Sequence, residues 1–352
     1  MKQKYLVIAL VLVCAITFTF AGCTPAEEPA EEPTGEEPIE EPMEDIMVAM
    51  VTDTGGVNDQ SFNQSAWEGL QMANKDLGVK VSYLESSQEA DYAPNLDTLY
   101  DNGNTLIWGI GFLMADAIEE AAQTNPDANY AIIDNFFPEP ADNLLGVVFR
   151  EEECSYLVGY IAGKMTETNN VGFVGGMDFD VIHHFHYGFM AGVKDANPDC
   201  EIQVQYAGDF ADVPKGKAIA NQMYQAGADI VFHAAGFTGN GVIEAAKEND
   251  KWVIGVDKDQ NSLAPDNVLT SAVKRVDNAV FNVTQTLVEG NFEGGTNIAY
   301  GLAEKGVGIA PTSDMHVPAD ILAEVADLEE QIIDGTIMVP DNQEDYEAQY
   351  GK

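Results

Sequence analysis

Positive charge is scarce in this chain: 16 Lys and Arg stand against 59 Asp and Glu in 352 residues, a formal charge of −43. Such a surface repels polyanions, so nucleic acid is excluded as a partner. Cysteine is scarce too. There are four, with no CxxC and no Cys/His cluster that would hold zinc. Cys154 and Cys200 lie far apart with no disulfide framework around them, and two buried free thiols are expected. The long apolar run, Tyr5 to Ala21, is slightly short for a membrane span, and an uncleaved membrane helix is the alternative to a cleaved signal there. The glycine loop Ala235-Gly236-Phe237-Thr238-Gly239-Asn240-Gly241 lacks both the dinucleotide order and the Lys-Ser/Thr of a phosphate loop. His183, His184 and His186 cluster without the i, i+4 spacing of a metalloprotease helix. No catalytic set, metal or cofactor is therefore expected.

What is present begins at the N-terminus. Lys2 and Lys4 precede an almost wholly apolar stretch, Tyr5 to Ala21, closed by Gly22 and Cys23. That is the layout of a secretory signal, and small residues followed by Cys resemble a bacterial lipobox. Residues 1–22 are read as a lipoprotein signal and Cys23 as the lipidated residue, which anchors the chain on the extracytoplasmic face of the cell membrane. Residues 23–45 then form a tether: nine Glu, one Asp, five Pro and no Lys or Arg between Thr24 and Asp45. Such a segment buries no core and stays extended.

From Ile46 onward short apolar runs alternate with amphipathic stretches. Strands are predicted at Ile46–Val51, Val79–Leu84, Thr105–Trp108, Tyr130–Ile133, Leu144–Phe149, Val171–Val174, Ile202–Tyr206, Ile230–Ala234, Trp252–Val256, Val268–Ala272 and Asn297–Tyr300. The first helix follows from Phe62, Ala66, Leu70, Ala73 and Leu77 at helical spacing, ended by Gly78. Alternation of this kind means an α/β protein with mostly parallel sheets flanked by helices. Eleven strands suggest two lobes. The chain is expected to cross between them near Phe149-Arg150-Glu151, Lys258 and Gly290, so that one lobe holds residues 46–149 plus about 258–290. The other then holds residues 150–257 plus about 291–340.

Open parallel sheets bind ligands beyond the carboxyl ends of their strands. Asp53, Asp134 and Asp257 each follow a predicted strand, and a carboxylate accepts two hydrogen bonds from vicinal hydroxyls. The alternative for each is a helix N-cap. Phe62 opens the first helix and Phe210 follows a strand in the other lobe, so the two rings are placed to sandwich a flat group or, alternatively, to pack their own loops. Gly236 suits close backbone approach to a ligand. Lys274, a rare cation, either donates to ligand hydroxyls, pairs with Asp257, or forms a surface ion pair.

The stretch from Val51 through Asp53-Thr54-Gly55-Gly56-Val57-Asn58-Asp59-Gln60-Ser61-Phe62-Asn63 to Gly69 resembles the opening motif of the basic membrane protein family. These lipoproteins are substrate-binding proteins of the purine nucleoside receptor A type. The likeness continues at Gly111–Ala117, His183–Val193, Lys215–Lys217, His233–Gly236, Ile254–Gln260 and Thr270–Asp277. It implies a type I periplasmic-binding-protein fold with a multi-strand hinge that closes on a nucleoside. It also implies base stacking by Phe62 and Phe210, hydrogen bonds from Asp53, Asn63 and Asp134, ribose contacts by Asp257 and Lys274, and Gly236 in the wall. The partners implied are an ABC permease and ATPase, and the chain is expected to be a monomer. Departures from the family pattern are Phe237, the extra residue in Asp212-Val213-Pro214, and His183.

Three rival readings share these residues. Strand-end carboxylates with a lysine also occur in phosphoryl-transfer enzymes, but export separates the chain from cytosolic ATP. The same fold serves ligand-presenting sensory receptors. It also serves receptors for sugars or autoinducers, which would dispense with stacking.

Overall fold

The structure is a computed structural model describing residues 46–351. The signal, Cys23 and the tether lie outside the described residues. Twelve strands form two six-stranded sheets of matching design, ordered β11-β5-β4-β3-β1-β2 and β12-β10-β9-β8-β6-β7. The first sheet comprises β1 (Met47–Val51), β2 (Lys80–Leu84), β3 (Leu106–Ile110), β4 (Asn129–Ile133), β5 (Leu144–Phe149) and β11 (Thr296–Tyr300). The second comprises β6 (Asn170–Gly175), β7 (Glu201–Tyr206), β8 (Ile230–Ala234), β9 (Trp252–Asp257), β10 (Val268–Lys274) and β12 (Val307–Ile309).

The central strands are apolar on both faces because helices cover both. Leu106 to Ile110 and Ile230 to Ala234 are buried throughout, as parallel sheets require. The edge strands β2 and β7 alternate with solvent instead. All pairings are parallel except β10 with β12, which is antiparallel. The first sheet is flanked by α1 (Phe62–Leu77), α2 (Tyr92–Asp101), α3 (Ala115–Thr124) and, arriving from far along the chain, α8 (Val276–Val288). The second is flanked by α4 (Glu151–Met165), α5 (Asp180–Ala196), α6 (Val213–Gln225), α7 (Thr238–Asn249), α9 (Ala319–Ile333) and α10 (Gln343–Tyr350). Helices α4 and α5 pack backbone to backbone: a Cβ on Gly192 would stand 2.0 Å from the Tyr156 carbonyl oxygen. No helix among the described residues is long and apolar enough to cross a membrane. Cys154 and Cys200 are both buried and unpaired.

The strand pairing corrects the expected return crossings. β10, placed by sequence in the first lobe, pairs with β9 in the second, and β11, placed in the second, pairs with β5 in the first. The chain therefore leaves the first lobe at Arg150, returns at Arg275 rather than near Lys258, and leaves again at Gly301–Gly306 rather than near Gly290. Hydrogen bonds tie these three passages together. The Arg150 N–H donates to Tyr300 O (2.9 Å), and the Arg275 N–H donates to Gly306 O (2.7 Å).

Candidate functional site

The carboxyl ends of both sheets face one cavity lined from both lobes. Asp53, Phe62, Asn63, Asp134, Phe210, Gly236, Asp257 and Lys274, singled out from the sequence, all line it.

The first-lobe wall is built by the loop after β1. Asp59 accepts hydrogen bonds from the N–H groups of Ser61 (2.9 Å), Asn63 (2.8 Å) and Gln64 (3.0 Å). It thereby satisfies the open N-terminus of α1. Asn63 is spent inside this loop. Its amide donates to Asp53 Oδ1 (2.7 Å) and Asp59 Oδ2 (3.0 Å), and its carbonyl accepts the Asp53 N–H (3.2 Å). Asn63 thus positions Asp53, whereas the family resemblance implies a ligand contact for it. Asp53 Oδ1 also accepts the Gly55 N–H (2.8 Å), and no donor among the described residues reaches Oδ2. Burial drives the Asp53 carboxyl up to about 6 against these hydrogen bonds.

Asp134 and Asp257 cap no helix. Each stands at the tip of the fourth strand of its lobe in the left-handed region, at φ 70° and φ 64°. Non-glycine residues rarely adopt that region, and where they do they cluster at functional sites. Asp257 Oδ2 accepts the Ser61 hydroxyl from the opposite lobe (2.5 Å), and no donor among the described residues reaches Oδ1. Burial pushes the Asp257 carboxyl up to about 7, with the charges of Asp59 and Asp134 adding to the rise and Lys274 opposing it.

Lys274 is neither a surface cation nor the hydrogen-bonded partner of Asp257. It is 1% exposed, and Nζ donates to Asp134 Oδ1 (2.6 Å) and Glu151 Oε1 (2.7 Å). The rings of Phe149, Phe62 and Phe185 surround it at 5.0, 5.2 and 5.8 Å. Burial alone would depress an ammonium; the carboxylates of Asp134, Glu151 and Asp257 outweigh it and hold Lys274 charged. Burial likewise drives Asp134 above its ordinary range in spite of Lys274. Glu151, Glu152 and His184 bring ligand atoms within 4.8 Å of one another. Both oxygens of Glu151 are already taken, by Lys274 and by His184 Nδ1 (3.0 Å), so the trio does not suit a metal.

Each expected stacking ring lies against a glycine. A Cβ on Gly111 would meet the Phe62 ring at 3.5 Å, and one on Gly236 would meet the Phe210 ring at 3.7 Å. Both glycines have positive φ, 111° and 52°, and both terminate the loop that follows the third strand of their lobe. The residues after them, Phe112 and Phe237, add two more rings to the wall. Phe112 also crosses the cleft to Phe179 (5.0 Å between centroids), and Asn240 donates to Asp59 O across the cleft (3.1 Å). Sequence reasoning missed Phe112, Phe185 and Glu151. The strand-tip rule that found the aspartates finds Phe112 too when applied to apolar residues. His183 is not in the wall; it pairs with Asp178 (2.6 Å) nearer the surface.

A family model described as "ABC transporter substrate-binding protein PnrA-like" matches residues 46–343. A Listeria monocytogenes protein named CD4+ T-cell-stimulating antigen is 47% identical over 315 residues, covering 84% of this chain and 88% of that one. A Lactococcus lactis protein named ABC transporter nucleoside-binding protein BmpA is 40% identical over 316 residues, covering 84% and 89%. Among solved structures, an ABC transporter solute-binding protein from Aeropyrum pernix superposes with a TM-score of 0.78 at 30% identity, covering 86% of this chain and 96% of that one.

Proposed function

We propose, from the premise that this chain belongs to the PnrA-like family of ABC transporter substrate-binding proteins, that its substrate is a nucleoside. The carrying observation is the cavity itself. Phe62 from one lobe and Phe210 from the other line a space that also presents unclaimed carboxylate oxygens on Asp53 and Asp257. Rings grip a planar base with roughly 1–3 kcal/mol of stacking each, and carboxylates accept hydroxyl hydrogen bonds. The relative named as nucleoside-binding supports the same reading.

In this mechanism the base slides between Phe62 and Phe210, and the ribose hydroxyls reach Asp257 and the ammonium of Lys274. Asp53 and Asp134 receive donors on the base or sugar, and Gly236 lets the backbone approach. The ligand touches both lobes, so it stabilises the closed form by contacts that an open form lacks. Family membership places the chain outside the cytoplasm, delivering to a permease driven by an ATPase. Cys23 is the proposed lipid attachment, and the receptor acts as a monomer.

Calorimetric titration with guanosine, adenosine, inosine, cytidine, uridine and ribose tests the reading. At least one nucleoside should bind one to one, far more tightly than ribose. Binding of ribose with no nucleoside response rejects the stacking sandwich and leaves a sugar receptor.

A further inference from the structure

We propose that Glu151 is the positioning residue for Lys274: it holds the ammonium in place on the second-lobe side of the cleft before any ligand arrives. This deepens the nucleoside reading and rests on it for the ligand. An ammonium has three N–H donors. Two are fixed, by Asp134 at 2.6 Å and Glu151 at 2.7 Å, and Lys274 lies in the cavity wall. One donor is left for a ligand.

The two anchors are not equivalent. Asp134 belongs to the first lobe and Lys274 to the second, so their contact crosses the cleft and breaks when the lobes part. Glu151 begins α4, directly after the crossing at Arg150, and travels with the second lobe. In an open receptor it is the carboxylate that stays with Lys274. Without it an open receptor would leave the ammonium beside the Phe185 ring of its own lobe with no hydrogen-bonded carboxylate to fix its direction, free to swing away from the cleft.

Glu151 is itself fixed. Its side chain is 1% exposed. It stands in the first helical turn, where a negative charge is favoured, and its second oxygen meets His184 Nδ1 at 3.0 Å. Burial alone would raise its carboxyl; Lys274 and His184 overcome that and hold it below the ordinary range, hence ionised. His184, kept charged by Glu151 against burial, titrates near 9. The chain His184–Glu151–Lys274 thus ends on one aimed donor.

The test uses the mature protein carrying ¹⁵N-lysine, with Lys274→Met identifying the Lys274 ammonium signal. Without ligand, wild type should give a slowly exchanging ammonium peak that Glu151→Gln abolishes. Guanosine affinity should fall roughly 10- to 100-fold in Glu151→Gln, the range for a charged hydrogen bond. Glu151→Asp, which restores the charge, should recover part of both signals. If Glu151→Gln does not fold, the wild-type peak carries the test, and the lack of a slowly exchanging Lys274 ammonium in the ligand-free protein overturns the proposal. Glu151→Gln keeping the ordered peak and wild-type affinity overturns it equally. If wild type binds no nucleoside, the functional reading fails, and the peak alone still decides the role of Glu151.

Discussion

Asp134 and Asp257 are one position written twice. Each ends the fourth strand of its sheet, each has a left-handed backbone, and each faces the same cavity. Their partners differ. Asp134 holds Lys274 at 2.6 Å, whereas the Asp257 carboxylate meets, among the described residues, the hydroxyl of Ser61. Each keeps one oxygen without a donor among the described residues, and the carboxylate already facing an ammonium is the weaker acceptor for a guest. The same duplication puts Phe112 and Phe237 after left-handed glycines on opposite walls. The lobes share a scaffold and, in the proposed function, divide the labour: the first ties one oxygen of its strand-tip acid to Lys274, and the second offers its acid to ligand hydroxyls.

The comparison can be broken most decisively at Asp257. Asp257→Ala should weaken nucleoside binding by about 3 kcal/mol, roughly 100-fold, since two charged hydrogen bonds are lost. Next come the rings. Phe62→Ala and Phe210→Ala should each cost about 2 kcal/mol in nucleoside affinity while changing ribose affinity little; equal losses for both ligands would remove the rings from the base. Asp134→Asn should cost less, about 1 kcal/mol, because Glu151 still holds Lys274. If titration ranks Asp134→Asn above Asp257→Ala, the division of labour is reversed.

The smallest effect is on pH dependence. Asp257 titrates near 7 and Asp53 near 6 in the folded protein, above the ~4 of an unfolded chain. The native state therefore binds more protons than the unfolded state between those values. The ligand-free protein should gain stability as pH falls from 8 toward 5 and lose it as pH rises through 6–7. Asp257→Asn should flatten that slope and raise the melting temperature at pH 8. Differential scanning fluorimetry across pH 5–8 reads both, and an Asp257→Asn slope equal to that of wild type contradicts the raised titration of Asp257.

Local signals in the sequence carried far. All eleven predicted strands form, because buried parallel strands are continuous apolar runs such as Ile230 to Ala234. Strand β12 has no such run; it is three residues long and exists only by pairing with the end of β10. The return crossings were not legible, since Val268–Lys274 reads as a buried strand in either lobe and only its neighbour decides. Strand-tip logic found the acids and two of the rings. It could not tell that Asn63 is consumed by Asp53 and Asp59. Nor could it tell that Glu151, first in a run of three glutamates, is buried while such runs ordinarily face water.

A crystal structure of the protein with guanosine tests the central claim most directly. The base should lie between the Phe62 and Phe210 rings, with ribose hydroxyls on Asp257 and the free donor of Lys274. Guanosine bound elsewhere, or seated with its ribose between the rings and its base at Asp257, contradicts the account.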